Sequence, residues 1–128
     1  MDKQIFMTKK GPKSVGPYST AVIYKDTVYI SGMGPLDPDS NQVVGATAKE
    51  QAHRTFANIK IILEELGSVM NDVIKVTLYL KDMKDFAEVN EIYKGYFGPD
   101  YPARTTIEAS RLPMDFLVEA DVIAVYRG

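Results

Sequence analysis

The stretch TAKEQAHRTFANIKIILEELGSVMNDVIKVTLYL, residues 47–80, joins an amphipathic helix to a strand and indicates the fold. Thr47 and Glu50 have the spacing of a capping box, which satisfies free backbone N–H groups at a helix start. Gly67 suits the left-handed position just after a helix end. The apolar residues between these signals recur at intervals of three and four and form one face: Ala52, Phe56, Ile59, Leu63 and Leu66.

The second part of this stretch, VIKVTLYL at 73–80, has the β-branched, alternating composition of a strand. Because side chains alternate along a strand, Ile74, Val76, Leu78 and Leu80 are expected on the core face. The other face is only partly polar, since it carries Val73 and Tyr79 beside Lys75 and Thr77. That face is therefore expected to be covered by something besides water.

The flanking sequence completes an α+β pattern. Residues 20–31 predict a hairpin with its turn at Lys25-Asp26, and the Gly- and Pro-rich residues from Gly32 onward predict a loop. A second helix is expected from about Asp82 to the stop at Gly98-Pro99, with Phe86, Val89, Tyr93 and Phe97 on one side. Strands near 104–109 and 116–127 end the chain. Two helices can cover only one face of such a sheet, so the other face is expected to meet another subunit.

Composition limits the chemistry. The 128 residues fit one domain, 1–128, and contain no cysteine and one histidine, so thiolate nucleophiles and His-rich zinc sites are not available. A net charge of −2 without a basic run argues against nucleic-acid binding. No signal peptide or apolar run of about 20 residues is visible, so a cytoplasmic protein without a membrane segment is expected.

Two charged residues are the leading candidates for a site. Arg104 follows Pro102 and enters a predicted strand, where its planar guanidinium could bind a carboxylate through two hydrogen bonds. The alternative is a surface or interface salt bridge. Glu119 lies mid-strand in an apolar segment, where a carboxylate is costly unless paired or hydrated and tends to have a perturbed pKa. Its alternative is an ion pair between subunits.

Weaker candidates surround them. Ser31 and Tyr18 could donate hydrogen bonds to a small anion, and Gly32 allows close approach to the backbone. A capping serine and a packed tyrosine are the commoner roles of such residues. Asn90 is either a helix-surface amide or a polar group at an interface, and His53 is expected in solvent at the edge of its helix.

The segment PARTTIEA at 102–109, followed by RLP at 111–113, resembles the signature of the RidA (YjgF) family. GPYS at 16–19, YISG at 29–32 and the stretch at 75–93 agree with that family in order and spacing. The resemblance implies a chorismate-mutase-like α+β fold, with a mixed sheet and two helices on one face. It also implies a homotrimer with sites in clefts between subunits.

The resemblance further implies a cofactor-independent deaminase, a hydrolase of C=N bonds that converts 2-iminobutanoate and 2-iminopropanoate to 2-oxo acids and ammonia. It assigns Arg104 to the substrate carboxylate and matches Tyr18, Ser31, Asn90 and Glu119 to family positions. Glu119 is then expected to orient the attacking water, and Ser31, Tyr18 and the backbone around Gly32 to bind the substrate. Thr106, which is counted among the substrate-binding positions, stands where many members carry a cysteine. No metal or organic cofactor is expected, and the ligand is a small 2-imino or 2-oxo acid. Two alternatives stay open: an endoribonuclease and translation inhibitor, or a non-catalytic trimer that binds a small carboxylate.

Overall fold

The computed structural model describes residues 2–128 and contains one six-stranded sheet with two helices. The elements in chain order are β1 (Gln4–Phe6), β2 (Ala21–Tyr24), β3 (Thr27–Met33), α1 (Ala48–Glu65), β4 (Val73–Leu80), α2 (Phe86–Phe97), β5 (Ala103–Glu108) and β6 (Val118–Val125). The strands lie in the order β1-β2-β3-β6-β4-β5; β4 and β5 are parallel, and the other neighbours are antiparallel. The predicted mixed sheet of an α+β fold is confirmed.

The helix α1 forms as its end signals predict. The Thr47 side chain accepts a hydrogen bond from the Glu50 N–H, and the Glu50 side chain accepts from the Thr47 N–H. Gly67 has φ +79°, the left-handed conformation expected after the helix end. The apolar face of α1 is buried against β3 and β6, where Phe56, Ile59 and Leu63 have no exposed surface.

The helices cover one face of the sheet and leave the other open. On β6, Val118, Ala120, Val122 and Ala124 are buried under the helices, while the residues between them are only partly buried. A smaller buried cluster of Leu36, Leu112 and Phe116 packs against Tyr79. No helix in residues 2–128 is long and apolar enough to cross a membrane.

Three sequence expectations are corrected. β1 was missed because it has only three residues and lies at the sheet edge. Ile74 was expected on the core face, but it is half exposed and Val73 is buried instead, because the pairing with β6 shifts register between Val73 and Lys75. The second helix begins at Phe86 rather than Asp82, since a short 3₁₀ turn at Met83–Asp85 comes first.

The hairpin is confirmed, with Lys25 at φ 56° in the two-residue turn between Tyr24 and Thr27. β3 nevertheless continues past Ser31 to Met33, where a loop was expected. Between Ile30 and Met33 the pairing with β6 contains one extra residue on β3, which is a β-bulge at Ser31-Gly32. This bulge is the structural feature that brings the predicted Ser31 and Gly32 next to β6.

The capping box gives a direct test of the helix start. We expect Thr47→Ala to lower the free energy of unfolding by about 1 kcal/mol, because the Glu50 N–H loses its acceptor. Thr47→Ser, which keeps the hydroxyl, is the matched control and should stay within a few tenths of a kcal/mol of the unsubstituted protein. Urea unfolding followed by circular dichroism measures both, and an equal loss in the two variants would contradict the capping role.

Candidate functional site

Two concave sites of residues 2–128 contain predicted site residues, and they lie on opposite sides of the sheet. The sheet cleft, of about 500 Å³, opens over the face that the helices leave uncovered; its lining includes Tyr18, Ser31, Gly32, Glu119 and Asp121. The helix groove, of about 400 Å³, lies between α2 and the start of β5; its lining includes Asn90, Tyr93, Lys94, Tyr101 and Arg104. The predicted site residues are therefore divided between two places.

Arg104 belongs to the helix groove. It pairs with buried Val76 of β4 in parallel register, so its side chain projects on the helix side of the sheet at the edge strand. The guanidinium carbon lies 4.6 Å from the centre of the Tyr93 ring and 5.6 Å from that of Phe86. Aromatic faces attract a cation without supplying the in-plane acceptors that a guanidinium also seeks.

The guanidinium of Arg104 has no carboxylate partner and donates no hydrogen bond within residues 2–128. All of its in-plane N–H donors are therefore available to a ligand or to another chain. A planar fork of this kind binds a carboxylate through two parallel hydrogen bonds. The helix groove is thus a candidate receptor for a small carboxylate.

Buried polar atoms without a partner collect around this groove. The Asn90 side-chain oxygen, the Tyr93 hydroxyl and the Thr106 hydroxyl are buried and unbonded within the described chain. Burial raises the pKa of Tyr93 to about 12, against the opposing effect of the Arg104 charge. Thr106 projects on the same side of β5 as Arg104 but does not line the groove. Unpaired buried polar groups lower the stability of the folded chain. Their presence near Arg104 therefore indicates that this region has a functional role.

Glu119 lies in the sheet cleft, and its side chain is close to the β-bulge at Ser31-Gly32. A Cβ atom added to Gly32 would lie 2.2 Å from Glu119 Oε2, so only glycine allows this approach. The carboxylate accepts no hydrogen bond from residues 2–128. Burial, with a further contribution from the negative charge of Asp121, raises the pKa of Glu119 above its ordinary value. A carboxylate with such a pKa is suited to accept and return a proton.

Ser31 and Tyr18 line the same cleft but differ in whether they can donate a hydrogen bond to a ligand. Ser31 Oγ donates to the Ser19 carbonyl at 2.7 Å, so in this arrangement its hydroxyl can offer a ligand only acceptor lone pairs. The Tyr18 hydroxyl accepts from the Val15 N–H at 3.2 Å and keeps its own proton free to donate. The Tyr18 hydroxyl proton is therefore available to a ligand, whereas the Ser31 hydroxyl proton is donated to the backbone.

Sequence reasoning missed four residues next to these groups. Asp121 follows Glu119 by two positions, and strand alternation was a sufficient signal to place both on one face. Tyr79 pairs opposite Glu119 in the sheet, a relation that depends on strand order and register. Tyr93 and Phe86 were read as core residues of α2, and their contact with Arg104 was not visible in the helical pattern.

A single chain does not assemble the site that the sequence analysis expected. Arg104 and Asn90 lie on the helix side of the sheet, while Glu119 and Gly32 lie on the open side. The sheet itself stands between the two candidate catalytic groups. Any reaction that uses both Arg104 and Glu119 needs two copies of the chain.

The fold and its clefts define a mixed α+β protein with an unpaired arginine on one sheet face and a half-buried glutamate on the other. The sequence pattern of the family described as endoribonuclease L-PSP matches residues 8–126, and the chain belongs to this family. A RutC family protein of Pyrococcus abyssi is 48% identical over 124 residues, which cover 97% of this chain and 98% of the relative.

Two further relatives carry more specific names. A mouse protein named 2-iminobutanoate/2-iminopropanoate deaminase is 43% identical over 123 residues, which cover 96% of this chain and 91% of the mouse protein. The crystal structure of E. coli TdcF with bound serine is similar with a TM-score of 0.89 and 34% identity, covering 95% of this chain and 98% of TdcF. The family membership predicted from the sequence motifs is confirmed.

The raised pKa of Glu119 predicts a pH-dependent cost to stability. A carboxyl whose pKa is higher in the folded than in the unfolded state favours folding at low pH, and this contribution is lost as pH rises through the folded pKa. We therefore expect Glu119→Gln to raise the melting temperature at pH 7.5 and to leave it nearly unchanged at pH 4. Exposed Glu64→Gln is the matched control and should show no such difference. A lower melting temperature for Glu119→Gln at pH 7.5 would contradict the assignment.

Proposed function

We propose that this chain is a 2-imino acid deaminase that hydrolyses 2-iminobutanoate and 2-iminopropanoate to 2-oxo acids and ammonia. The observation that carries the proposal is the unpaired guanidinium of Arg104, held over two aromatic rings in an open groove. The name of the mouse relative supports the reaction. The serine bound by TdcF supports a ligand with a carboxylate next to a nitrogen-bearing carbon.

We propose further that the active form is a homotrimer with its sites between neighbouring copies. In a cyclic trimer each interface joins two different patches, one from each neighbour. The helix groove of one copy and the sheet cleft of the next supply the two halves that one chain keeps apart. The apolar and aromatic side chains on the open sheet face, such as Tyr29 and Ile123, support contact with another chain.

In the proposed mechanism, Arg104 binds the substrate carboxylate and fixes the position of the imine carbon. Glu119 of the neighbouring copy orients a water molecule and takes a proton from it as the oxygen attacks the C=N carbon. Glu119 gives that proton to the imine nitrogen, so the product of this step is the neutral tetrahedral carbinolamine. Glu119 then takes the carbinolamine hydroxyl proton and passes it to the amino nitrogen, so that the C=O bond forms as the C–N bond breaks and ammonia leaves. The Tyr18 hydroxyl is a donor for the ligand at the edge of the cleft.

The two other functions considered from the sequence have less support in the geometry. His53, which an acid–base ribonuclease mechanism would be expected to use, is exposed on α1, contacts Tyr96 and lines neither cleft. A non-catalytic carboxylate-binding trimer uses Arg104 in the same way but has no need of a proton-accepting carboxylate. The half-buried, unpaired Glu119 therefore favours the enzyme.

A trapping assay tests the reaction and the role of Arg104. An amino-acid oxidase generates the imine in situ, and semicarbazide traps what is left. We expect the unsubstituted protein to suppress semicarbazone formation and Arg104→Ala to lose that effect by about 100-fold or more, because the carboxylate loses two charge-assisted hydrogen bonds. Arg104→Lys should restore only a small part, since lysine keeps the charge and lacks the fork.

Lys60→Ala is the charge-matched control, because Lys60 is exposed on α1 outside both clefts. It should behave as the unsubstituted protein. If the protein leaves trapping unchanged but a 2-oxo acid raises its melting temperature in an Arg104-dependent manner, the binding-only function replaces the deaminase. Full activity in Arg104→Ala would remove the carboxylate clamp from the mechanism.

A further inference from the structure

A second carboxylate lies next to Glu119 and is fixed by a tyrosine. Asp121 follows Glu119 by two positions on β6, so both side chains project on the open face and line the sheet cleft. Tyr79 pairs opposite Glu119 on β4, and its hydroxyl reaches diagonally to donate to Asp121 Oδ2 at 2.9 Å. The Asp121 carboxylate is thereby held at one place beside Glu119.

The Tyr79 side chain is also positioned by packing. Its ring packs against the buried cluster of Leu36, Leu112 and Phe116. Burial, followed by the hydrogen bond to Asp121 and the charge of that carboxylate, raises the pKa of Tyr79 to about 12. The hydroxyl therefore keeps its proton throughout the neutral range and remains a donor.

This arrangement has a defined electrostatic consequence. The negative charge of Asp121 contributes to the raised pKa of Glu119, and the hydrogen bond from the Tyr79 hydroxyl fixes where that charge lies. A fixed negative charge beside a second carboxyl opposes ionisation of that carboxyl. The pair can therefore set how readily Glu119 takes up a proton without contacting the substrate.

We propose that Tyr79 and Asp121 are positioning residues for Glu119: the tyrosine fixes the Asp121 carboxylate, and that fixed charge sets the pH range in which Glu119 accepts a proton. The catalytic consequence rests on the proposed deaminase function, whereas the electrostatic coupling between the two carboxylates does not.

The basic side chains around the cleft donate their hydrogen bonds to groups other than Glu119 and Asp121. Lys13 donates to the Lys9 and Gly11 carbonyls, Lys81 to the Ser110 carbonyl, and Lys75 to the Thr105 hydroxyl. The remaining titratable side chains that line the cleft with Glu119 and Asp121 are Tyr18 and Tyr29. Asp121 is thus the charge that lies beside Glu119 and is held there by a hydrogen bond.

A carboxyl-carbon NMR titration tests the coupling directly. In protein labelled with ¹³C at glutamate, the Glu119 signal is identified as the one lost in Glu119→Gln. We expect Asp121→Asn to lower the Glu119 titration midpoint by roughly half to one pH unit, since it removes a neighbouring like charge. The matched control is Asp39→Asn, an exposed loop carboxylate whose side chain accepts no hydrogen bond, which should leave the midpoint unchanged. An unchanged midpoint in Asp121→Asn would overturn the proposal.

The role of Tyr79 is tested with Tyr79→Phe, which keeps the ring and removes the hydroxyl. We expect this substitution to move the Glu119 midpoint in the unsubstituted background and to have no effect in the Asp121→Asn background. No shift in either background, or an equal shift in both, would remove Tyr79 from the mechanism.

The same variants connect the coupling to catalysis. If Glu119 acts as the proton acceptor, the acid limb of the pH profile of kcat/KM should move to lower pH in Asp121→Asn by the amount that NMR shows. A limb that stays in place while the NMR midpoint moves would separate the pair from catalysis. If the unsubstituted protein has no deaminase activity, the proposed function fails, and the NMR result decides the coupling independently.

Discussion

The alternation of side chains along β6 determines which of them face the helices and which face the open side of the sheet. Val118, Ala120, Val122 and Ala124 are directed toward the helices and are almost completely buried. The intervening positions place Glu119 and Asp121 on the open face. A slip of one residue would put two carboxylates under the helices and the apolar residues in the cleft. The core and the candidate proton acceptor are therefore fixed by the same register.

The position of β5 at the edge of the sheet keeps the Arg104 side chain accessible. β5 pairs in parallel only with β4, so Arg104 shares the helix side with Val76 but lies where the helix layer ends. Tyr93 and Phe86 of α2 supply the surface over which the guanidinium lies. The charge remains accessible there, whereas deeper under the helices it would require a buried partner. Each sheet face thus carries one of the two candidate catalytic groups.

The candidate sites are also the places where the chain gives up stability. Asn90, Tyr93 and Thr106 leave polar atoms buried without partners near Arg104, and Ser14 does the same at the sheet cleft. Glu119 is held in a setting that disfavours its charge. Asn58 differs from these groups, because its buried amide donates to the Gly34 and Leu36 carbonyls beside the cleft. Residues that lower the stability of the fold without a compensating interaction nearby are characteristic of functional sites.

The sequence by itself determined the parts that depend on neighbours along the chain. The capping box at Thr47, the glycine at Gly67 and the three-to-four spacing specify α1, and alternation specifies β4 and β6 apart from the shifted Ile74. The motif around Arg104, together with GPYS, YISG and the stretch at 75–93 in the same order and spacing, identified the family. Tertiary structure alone decided that Arg104 and Glu119 lie on opposite faces, that Gly32 lies against Glu119, and that Tyr79 reaches Asp121. These relations depend on strand order, on the Ser31-Gly32 bulge and on the edge position of β5, which join residues distant in sequence and leave no periodic signal along the chain.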